Sequence, residues 1–166
     1  MLKTHRGALF LTSVLLVMAC ILSGCIGPDG ADDKKAEIEE LVGNACEMIE
    51  EEGPDFFPEL REEGGEWWNG DTYIFVWQTD GLRLVYPPDT SGEGVDMSGL
   101  VDSEGKAIGE LFIETATQEP YYGWVEYIWP KPDGDTPEEK HTYIKKAEYG
   151  GVEYLVGSGY YLSDTE

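Results

Sequence analysis

The cysteine at position 25 has neighbours that predict covalent modification of its thiol. It ends the tetrapeptide Leu-Ser-Gly-Cys (22–25), which follows an apolar run over 8–22 and a basic start containing Lys3 and Arg6. A charged start, an apolar core and small residues at the cut are typical of a secretory signal peptide. The pattern predicts cleavage of residues 1–24 and lipidation of the Cys25 sulfur, as in prokaryotic lipoproteins. An uncleaved anchor helix is the alternative.

Patterns typical of catalysis and metal binding are scarce in the rest of the chain. His141 is the one histidine after the leader, and Cys46 is the one cysteine after Cys25, so a zinc or haem site is not expected. The acidic segment 133–139 lacks the spacing of a calcium-binding EF-hand loop. No nucleophile elbow, phosphate-binding glycine loop or His-Glu-x-x-His motif is present. We therefore expect no enzyme, cofactor or resident metal, with divalent-cation binding as a weaker alternative.

The charge of the chain excludes one large class of partner. It contains 34 acidic and 11 basic residues, for a formal net charge of −23. Binding to nucleic acid needs clustered lysine and arginine to contact phosphates, and no such cluster exists here. Acidity of this kind is typical of a well-solvated surface.

The remaining sequence predicts one domain behind a short tether. Residues 25–32 are polar and rich in glycine and proline, which is typical of a linker. A helix is predicted over 33–52, because apolar residues recur there at spacings of three and four. A helical turn follows around Phe57 and Leu60. Residues 33–166 are therefore expected to form a single folded domain.

The second part of the chain predicts an antiparallel sheet. Strands are expected over 73–77 and 82–86, joined by a turn, and again over 124–129, 140–147 and 154–161. A helix is predicted over 106–117. Because the loops between the last three strands are too short for parallel crossovers, the class is α+β with an antiparallel sheet. The helix over 33–52 should cover one face, and the loop and helix before the third strand should cover the other.

The second part of the chain also contains an ordered set of short motifs. They lie at 73–76, 80–81, 86–87, Gly94, Asp102, 105–106, 127–132, Lys140, Tyr143 and 156–161. This set resembles the single Cache domain, a family of extracellular PAS-like sensor domains of prokaryotic chemoreceptors and histidine kinases. The resemblance extends over roughly residues 33–162.

The resemblance implies a PAS-like five-stranded sheet with a small-molecule pocket on the face away from the first helix. Family members bind small organic ligands such as short carboxylates and do no chemistry on them. All five Trp and ten Tyr lie between 67 and 161, and such side chains suit a pocket. Following the resemblance, the predicted aromatic ligand contacts are Tyr73, Phe75, Tyr86, Tyr127, Trp129 and Tyr143.

An anionic ligand also needs a cation, and cations are scarce. Lys131 is predicted to contact the ligand, because it follows the corner where a strand leaves the sheet beside the aromatic residues. Period two places Arg83 opposite Leu84 and Tyr86, so Arg83, like Arg61, is expected on a solvated face.

These features predict a lipid-anchored, extracytoplasmic domain that binds a small carboxylate or amine. It would present this ligand to a signalling or transport protein in the membrane. The alternative is a ligand-free module of the cell envelope that docks a partner protein.

The chain departs from the family pattern at one of the predicted contacts. Family members often carry His before the proline of the second strand, where this chain has Tyr86.

Substitution of Cys25 tests the predicted anchor. In a prokaryotic host, the full chain should incorporate a radioactive fatty acid and sediment with membranes, because a lipidated cysteine holds two acyl chains there. Cys25→Ala should take up no label, whereas Cys46→Ala, the matched control, should label like the parent. Equal labelling of Cys25→Ala and the parent would contradict lipidation at this site.

Overall fold

The structure of the protein is a computed structural model that describes residues 30–165. The predicted leader, Cys25 and the first residues of the linker lie outside the described residues. The elements are α1 (Gly30–Glu52), β1 (Trp68–Asn69), β2 (Thr72–Tyr73), β3 (Phe75–Gln78), β4 (Arg83–Val85), α2 (Ile108–Thr117), β5 (Tyr122–Pro130), β6 (Pro137–Tyr149) and β7 (Val152–Tyr161). Short 3-10 turns cover Gly53–Phe56, Glu59–Arg61, Pro87–Gly92 and Leu162–Thr165. Within residues 30–165, no helix is both long enough and apolar enough to cross a bilayer.

Strands β3 to β7 form one five-stranded antiparallel sheet. Its order is β4-β3-β7-β6-β5, so the last strand of the chain lies in the centre. Strands β5, β6 and β7 follow one another as a meander, in agreement with the short connections between them. The predicted α+β class and the five-stranded antiparallel sheet are confirmed.

Helix α1 packs on one face of the sheet, against β6 and β7. It begins at Gly30, three residues before the predicted start, and ends at Glu52 as expected. Burial raises the pKa of the Cys46 thiol to about 12, so the thiol remains protonated and acts as a small core side chain. The buried side chains of the helix belong to the predicted apolar stripe: Ile38, Val42, Ala45, Cys46 and Ile49.

The opposite face of the sheet is covered by α2 and by the connection between β4 and α2. Phe112 of α2 lies at the centre of this contact, with its ring centroid 5.7 Å from that of Phe75 and 5.4 Å from that of Tyr127. Such offset and edge-on pairs of rings add to the gain from burial. The two faces of the sheet thus have separate cores, as the sequence predicted.

The predicted strand over 73–77 is interrupted in the structure. Ile74 donates its backbone N–H to the carbonyl of Trp67 at 3.0 Å, which extends the pairing of β1 with β2 to this residue. Residues before the break pair with β1 in a small hairpin, and residues after it form β3. The sequence did not predict the β1–β2 hairpin.

A β-bulge at Leu84 corrects the prediction for Arg83. Val76 pairs with Val85 and Trp77 pairs with Arg83, so Leu84 is an extra residue in β4. One extra residue reverses the alternation of side chains along a strand. Arg83 therefore lies on the same side of the sheet as Tyr86 and is buried, instead of pointing into solvent.

The contact between α1 and the sheet can be tested by truncating one side chain. Ile49→Ala should lower the free energy of unfolding by about 2–5 kcal/mol, because Ile49 is fully buried and a cavity would remain. Denaturant titration of the full chain measures this change. Glu50→Ala is the matched control, since Glu50 is exposed on the same helix and should change stability by less than about 0.5 kcal/mol. A loss below about 1 kcal/mol for Ile49→Ala would contradict the packing of α1.

Candidate functional site

A small cavity lies between the sheet and the elements that cover its second face. Its volume is about 20 Å³, which is room for about one water molecule. The lining side chains are Tyr73, Phe75, Trp77, Arg83, Tyr86, Leu100, Ile108, Phe112, Tyr127 and Trp129. Five of the seven side chains that the sequence predicted as ligand contacts are among them.

The aromatic lining follows from the alternation of side chains on two strands. Phe75 and Trp77 share a face of β3, and Tyr127 and Trp129 share a face of β5. Gly157 in the central strand leaves space for them, because a Cβ atom there would clash with the ring of Phe75. Close approach of the Phe75 side chain explains this glycine within the strand.

Arg83 supplies a positive charge to the cavity wall. It is 9% exposed, its Nε donates to the Gly92 carbonyl at 2.8 Å, and its guanidinium lies 4.3 Å from the ring centre of Tyr86. Within residues 30–165, no carboxylate oxygen lies within 4.0 Å of this guanidinium. The nearby Glu93 pairs with Arg61 instead, at 2.8 Å between Oε2 and Nη2. The bulge at Leu84 thus gives the cavity a cation that sequence periodicity missed.

Trp77 is another cavity residue with a polar atom, its indole Nε1, that lacks a hydrogen-bond partner among the described residues. Its ring lines the cavity, it is 3% exposed, and its Nε1–H has no acceptor among the described residues. Buried polar groups are almost always hydrogen-bonded, so this donor has room for one more partner, a water molecule or an oxygen atom of a ligand.

Lys140 is a buried cation directly behind the cavity wall. It is 1% exposed, and its Nζ donates to the hydroxyl oxygens of Tyr73 at 3.1 Å and Tyr161 at 3.5 Å. Burial lowers the pKa of this amine to about 7. Lys140 belongs to the motifs that resemble the Cache family, but strand periodicity gives no signal for its burial, because lysine in a strand is usually solvated.

Lys131 and Tyr143, the other two predicted contacts, lie outside the cavity. Lys131 binds Asp164 at 2.6 Å and Asp71 at 3.2 Å near the rim, so its charge is already paired. Tyr143 lies on the opposite face, in the core under α1, with its ring 5.3 Å from that of Trp124. Residues 140, 142 and 144 of β6 face the cavity side, which places Tyr143 on the other side.

Glu126, Glu139 and His141 form a cluster that the sequence did not predict. One potential ligand atom from each lies within 4.8 Å of the others, on adjacent strands β5 and β6. His141 Nε2 is 2.8 Å from Glu139, and Nδ1 is 3.2 Å from the Tyr160 hydroxyl. Because both ring nitrogens already have partners within the protein, hydrogen bonding accounts for the arrangement, and we assign no metal to it.

Two curated proteins share sequence with this chain. It is 28% identical over 96 residues to the methyl-accepting chemotaxis protein McpP of Pseudomonas putida, and 32% identical over 95 residues to the sensor histidine kinase MctS of Rhizobium johnstonii. The aligned segments make up 58% and 57% of this chain but only 17% and 20% of those two proteins. The chain thus matches a minor part of each relative.

Solved structures share the fold. A methyl-accepting chemotaxis protein from Vibrio parahaemolyticus superposes with a TM-score of 0.65 at 19% identity, covering 81% of this chain and 93% of that one. A Cache chemosensory domain described for carboxylic acid recognition gives a TM-score of 0.62 at 20% identity, covering 79% and 92%. At these identities the likeness concerns the fold alone.

A family model described as a Cache domain, dCache_2, matches residues 65–166. The matched segment contains the whole five-stranded sheet and every residue that lines the cavity. Because it also makes up more than half of the sequence, the chain belongs to the Cache domain family.

Proposed function

We propose that this protein is an extracytoplasmic sensor domain that binds a small carboxylic acid in its aromatic cavity. The observation that carries the proposal is the buried Arg83, which lines the cavity without a carboxylate partner in the described part of the chain. A buried charge is strongly disfavoured unless an opposite charge or hydrogen bonds compensate it. A carboxylate would supply the missing charge, and arginine binds it with two parallel hydrogen bonds.

The size and lining of the cavity support a ligand with few heavy atoms. A volume of about 20 Å³ is smaller than an acetate ion, so the rings or the connection after β4 must move outward for it to enter. Aromatic walls suit the short hydrocarbon part of such an acid, and Trp77 Nε1–H is available to an oxygen atom.

The relatives support the same chemical class. One of the solved structures is a Cache domain described for carboxylic acid recognition, another is a periplasmic sensor domain of a chemotaxis protein, and the curated relatives are a chemoreceptor and a sensor kinase. By analogy, we propose that this domain works outside the cytoplasm, anchored through Cys25, and reports the bound acid to a membrane protein. The cavity would bind its ligand without changing it. A ligand-free docking module is the alternative.

A melting-temperature screen of the full chain tests the ligand class. Acetate and propionate should raise the melting temperature. At a ligand concentration of 100 times the Kd, binding should increase the free energy of unfolding by about 2.7 kcal/mol. Acetamide and propionamide have the same shape without the charge and should give no shift. Equal shifts with acids and amides, or no shift with any acid, would contradict carboxylate binding and favour the docking module.

Calorimetry on one charge variant tests the role of Arg83. Arg83→Gln should weaken propionate binding by about 30-fold or more, because removing one partner of a buried charge pair costs about 2 kcal/mol at least. Lys146→Gln is the matched control: it also removes a positive charge from the sheet, but Lys146 pairs with Glu153 away from the cavity. Its Kd should stay within twofold of the parent. An unchanged Kd for Arg83→Gln would remove this residue from the site.

A further inference from the structure

The two edges of the five-stranded sheet are covered to different extents. An edge strand presents N–H and C=O groups that can pair with another chain, and native proteins usually cover or block them. At the β4 edge, the Arg83 N–H donates to the Val95 carbonyl at 3.0 Å, and the Arg83 carbonyl accepts from the Gly94 N–H at 2.7 Å. Strand β5 forms the other edge of the sheet. Only part of this second edge has such a cover.

The register of β5 with β6 shows which main-chain groups point outward. Lys146 donates its N–H to the Tyr121 carbonyl at 2.9 Å, and the next residue, Tyr122, lies opposite Lys145. In an antiparallel pair, residues that bond the partner strand alternate with residues whose N–H and C=O point away from it. The residues of β5 that direct both groups to the outer edge are therefore Tyr122, Trp124, Glu126 and Ile128.

The second half of this edge is blocked by side chains from the turn before α2. Asp102 Oδ2 accepts the outward N–H of Ile128 at 3.1 Å. The other oxygen of Asp102 accepts from the backbone N–H groups of Glu104 and Lys106, both at 2.9 Å, which fixes the carboxylate in place. Lys106 Nζ donates to the outward carbonyl of Glu126. A further strand therefore cannot pair with β5 beyond Glu126.

The first half of the edge remains unpaired. Within residues 30–165, no hydrogen bond from another segment reaches the N–H and C=O of Tyr122 and Trp124 or the N–H of Glu126. Tyr122 is 50% exposed, and Glu126 is also exposed. We call these main-chain groups of residues 122–126 the open edge. They have the spacing and direction that a further β-strand needs for pairing.

The side chains beside the open edge suit a basic partner. The rings of Tyr122 and Trp124 lie on the α1 side of the sheet, as does the carboxylate of Glu126. Glu39 of α1 accepts from Trp124 Nε1 at 2.8 Å, and Lys35 Nζ lies 5.9 Å from the centre of the same ring. An added strand would place alternate side chains next to two aromatic rings and two carboxylates. Lysine and arginine bind such surroundings through cation–π contacts and ion pairs.

We propose that the open edge is a docking site for an extended, basic segment of a partner protein, which pairs with β5 as a sixth strand. The net charge of −23 attracts a basic segment at long range and repels a second copy of this chain. The main-chain bonds would supply affinity, and the rings and carboxylates would select the side chains. The open edge includes neither Arg83 nor the cavity, so its test is independent of the proposed function.

Fluorescence anisotropy with a labelled synthetic peptide tests the docking site on the full chain. The probe is a ten-residue peptide in which lysine and valine alternate. A peptide of alternating lysine and proline carries the same charge, but proline cannot donate to a sheet ladder. The lysine–valine peptide should bind about tenfold more tightly or better, because only this peptide can form the backbone bonds. Equal affinity for the two peptides would overturn the docking site, since charge alone would then explain the binding.

One variant tests whether the peptide binds at the open edge. Glu126→Pro removes an N–H that points away from β6, so the ladder to β6 is retained, and proline is tolerated on edge strands. It should weaken binding of the lysine–valine peptide by about tenfold or more. Glu62→Gln is the control for the lost charge, since Glu62 is exposed and follows Arg61, which binds the Leu84 carbonyl near the opposite edge. Its Kd should stay within twofold of the parent. An unchanged Kd for Glu126→Pro would overturn the proposal.

Amide hydrogen exchange of the parent, followed by NMR, gives a second test that does not depend on the folding of a variant. The lysine–valine peptide should slow exchange of the N–H groups of Tyr122, Trp124 and Glu126. The N–H of Ile128 should not change, because Asp102 already binds it. No added protection at the three open N–H groups would overturn the proposal. A parent that dimerises in sedimentation, with these groups protected before any peptide is added, would identify a second copy as the occupant and overturn the basic partner.

Discussion

Two buried cations without carboxylate partners are the constraint on which the rest of the site depends. Arg83 and Lys140 lie in and behind the cavity wall of a protein with 34 acidic residues. Arg61 binds Glu93 near Arg83, and Lys131 binds both carboxylates near Lys140, so neither side chain has a carboxylate oxygen within 4.0 Å among the described residues. Burial of charge without an ion pair lowers stability, and the proposed carboxylate ligand would relieve this cost at Arg83.

The acidic surface and the cationic cavity have opposite effects on such a ligand. A net charge of −23 repels an anion at long range, and salt screens that repulsion beyond about 10 Å. Arg83 and Lys140 act at short range in a region of low dielectric, where screening is weak. Selectivity for an anion therefore has to come from the buried groups, because the surface works against it.

The sequence predicted the elements with a clear periodicity and missed the features that depend on local geometry. The apolar stripe of α1 predicted its buried face correctly. The resemblance to the Cache family, rather than periodicity, selected the five predicted contacts that line the cavity. The bulge at Leu84 reverses the side of Arg83 and cannot be read from spacing, since it depends on how β4 pairs with β3. Residue type alone does not distinguish Lys131 from Lys140. Only the tertiary structure shows which of them has carboxylates beside it.

Arg83 also links the cavity wall to residues 92–95, which belong to the segment between β4 and α2. Besides the bond from its Nε to Gly92, its backbone N–H donates to Val95 at 3.0 Å, and its carbonyl accepts from Gly94 at 2.7 Å. Gly92 must lack a side chain for this contact, because a Cβ atom there would clash with the guanidinium. An anion that draws the guanidinium into the cavity would act on this segment through the bond from Nε to Gly92, while the two backbone bonds hold residues 94 and 95 beside β4. The cavity is too small to admit a ligand unless its walls move, so the residue that would bind the charge also holds the segment that has to open.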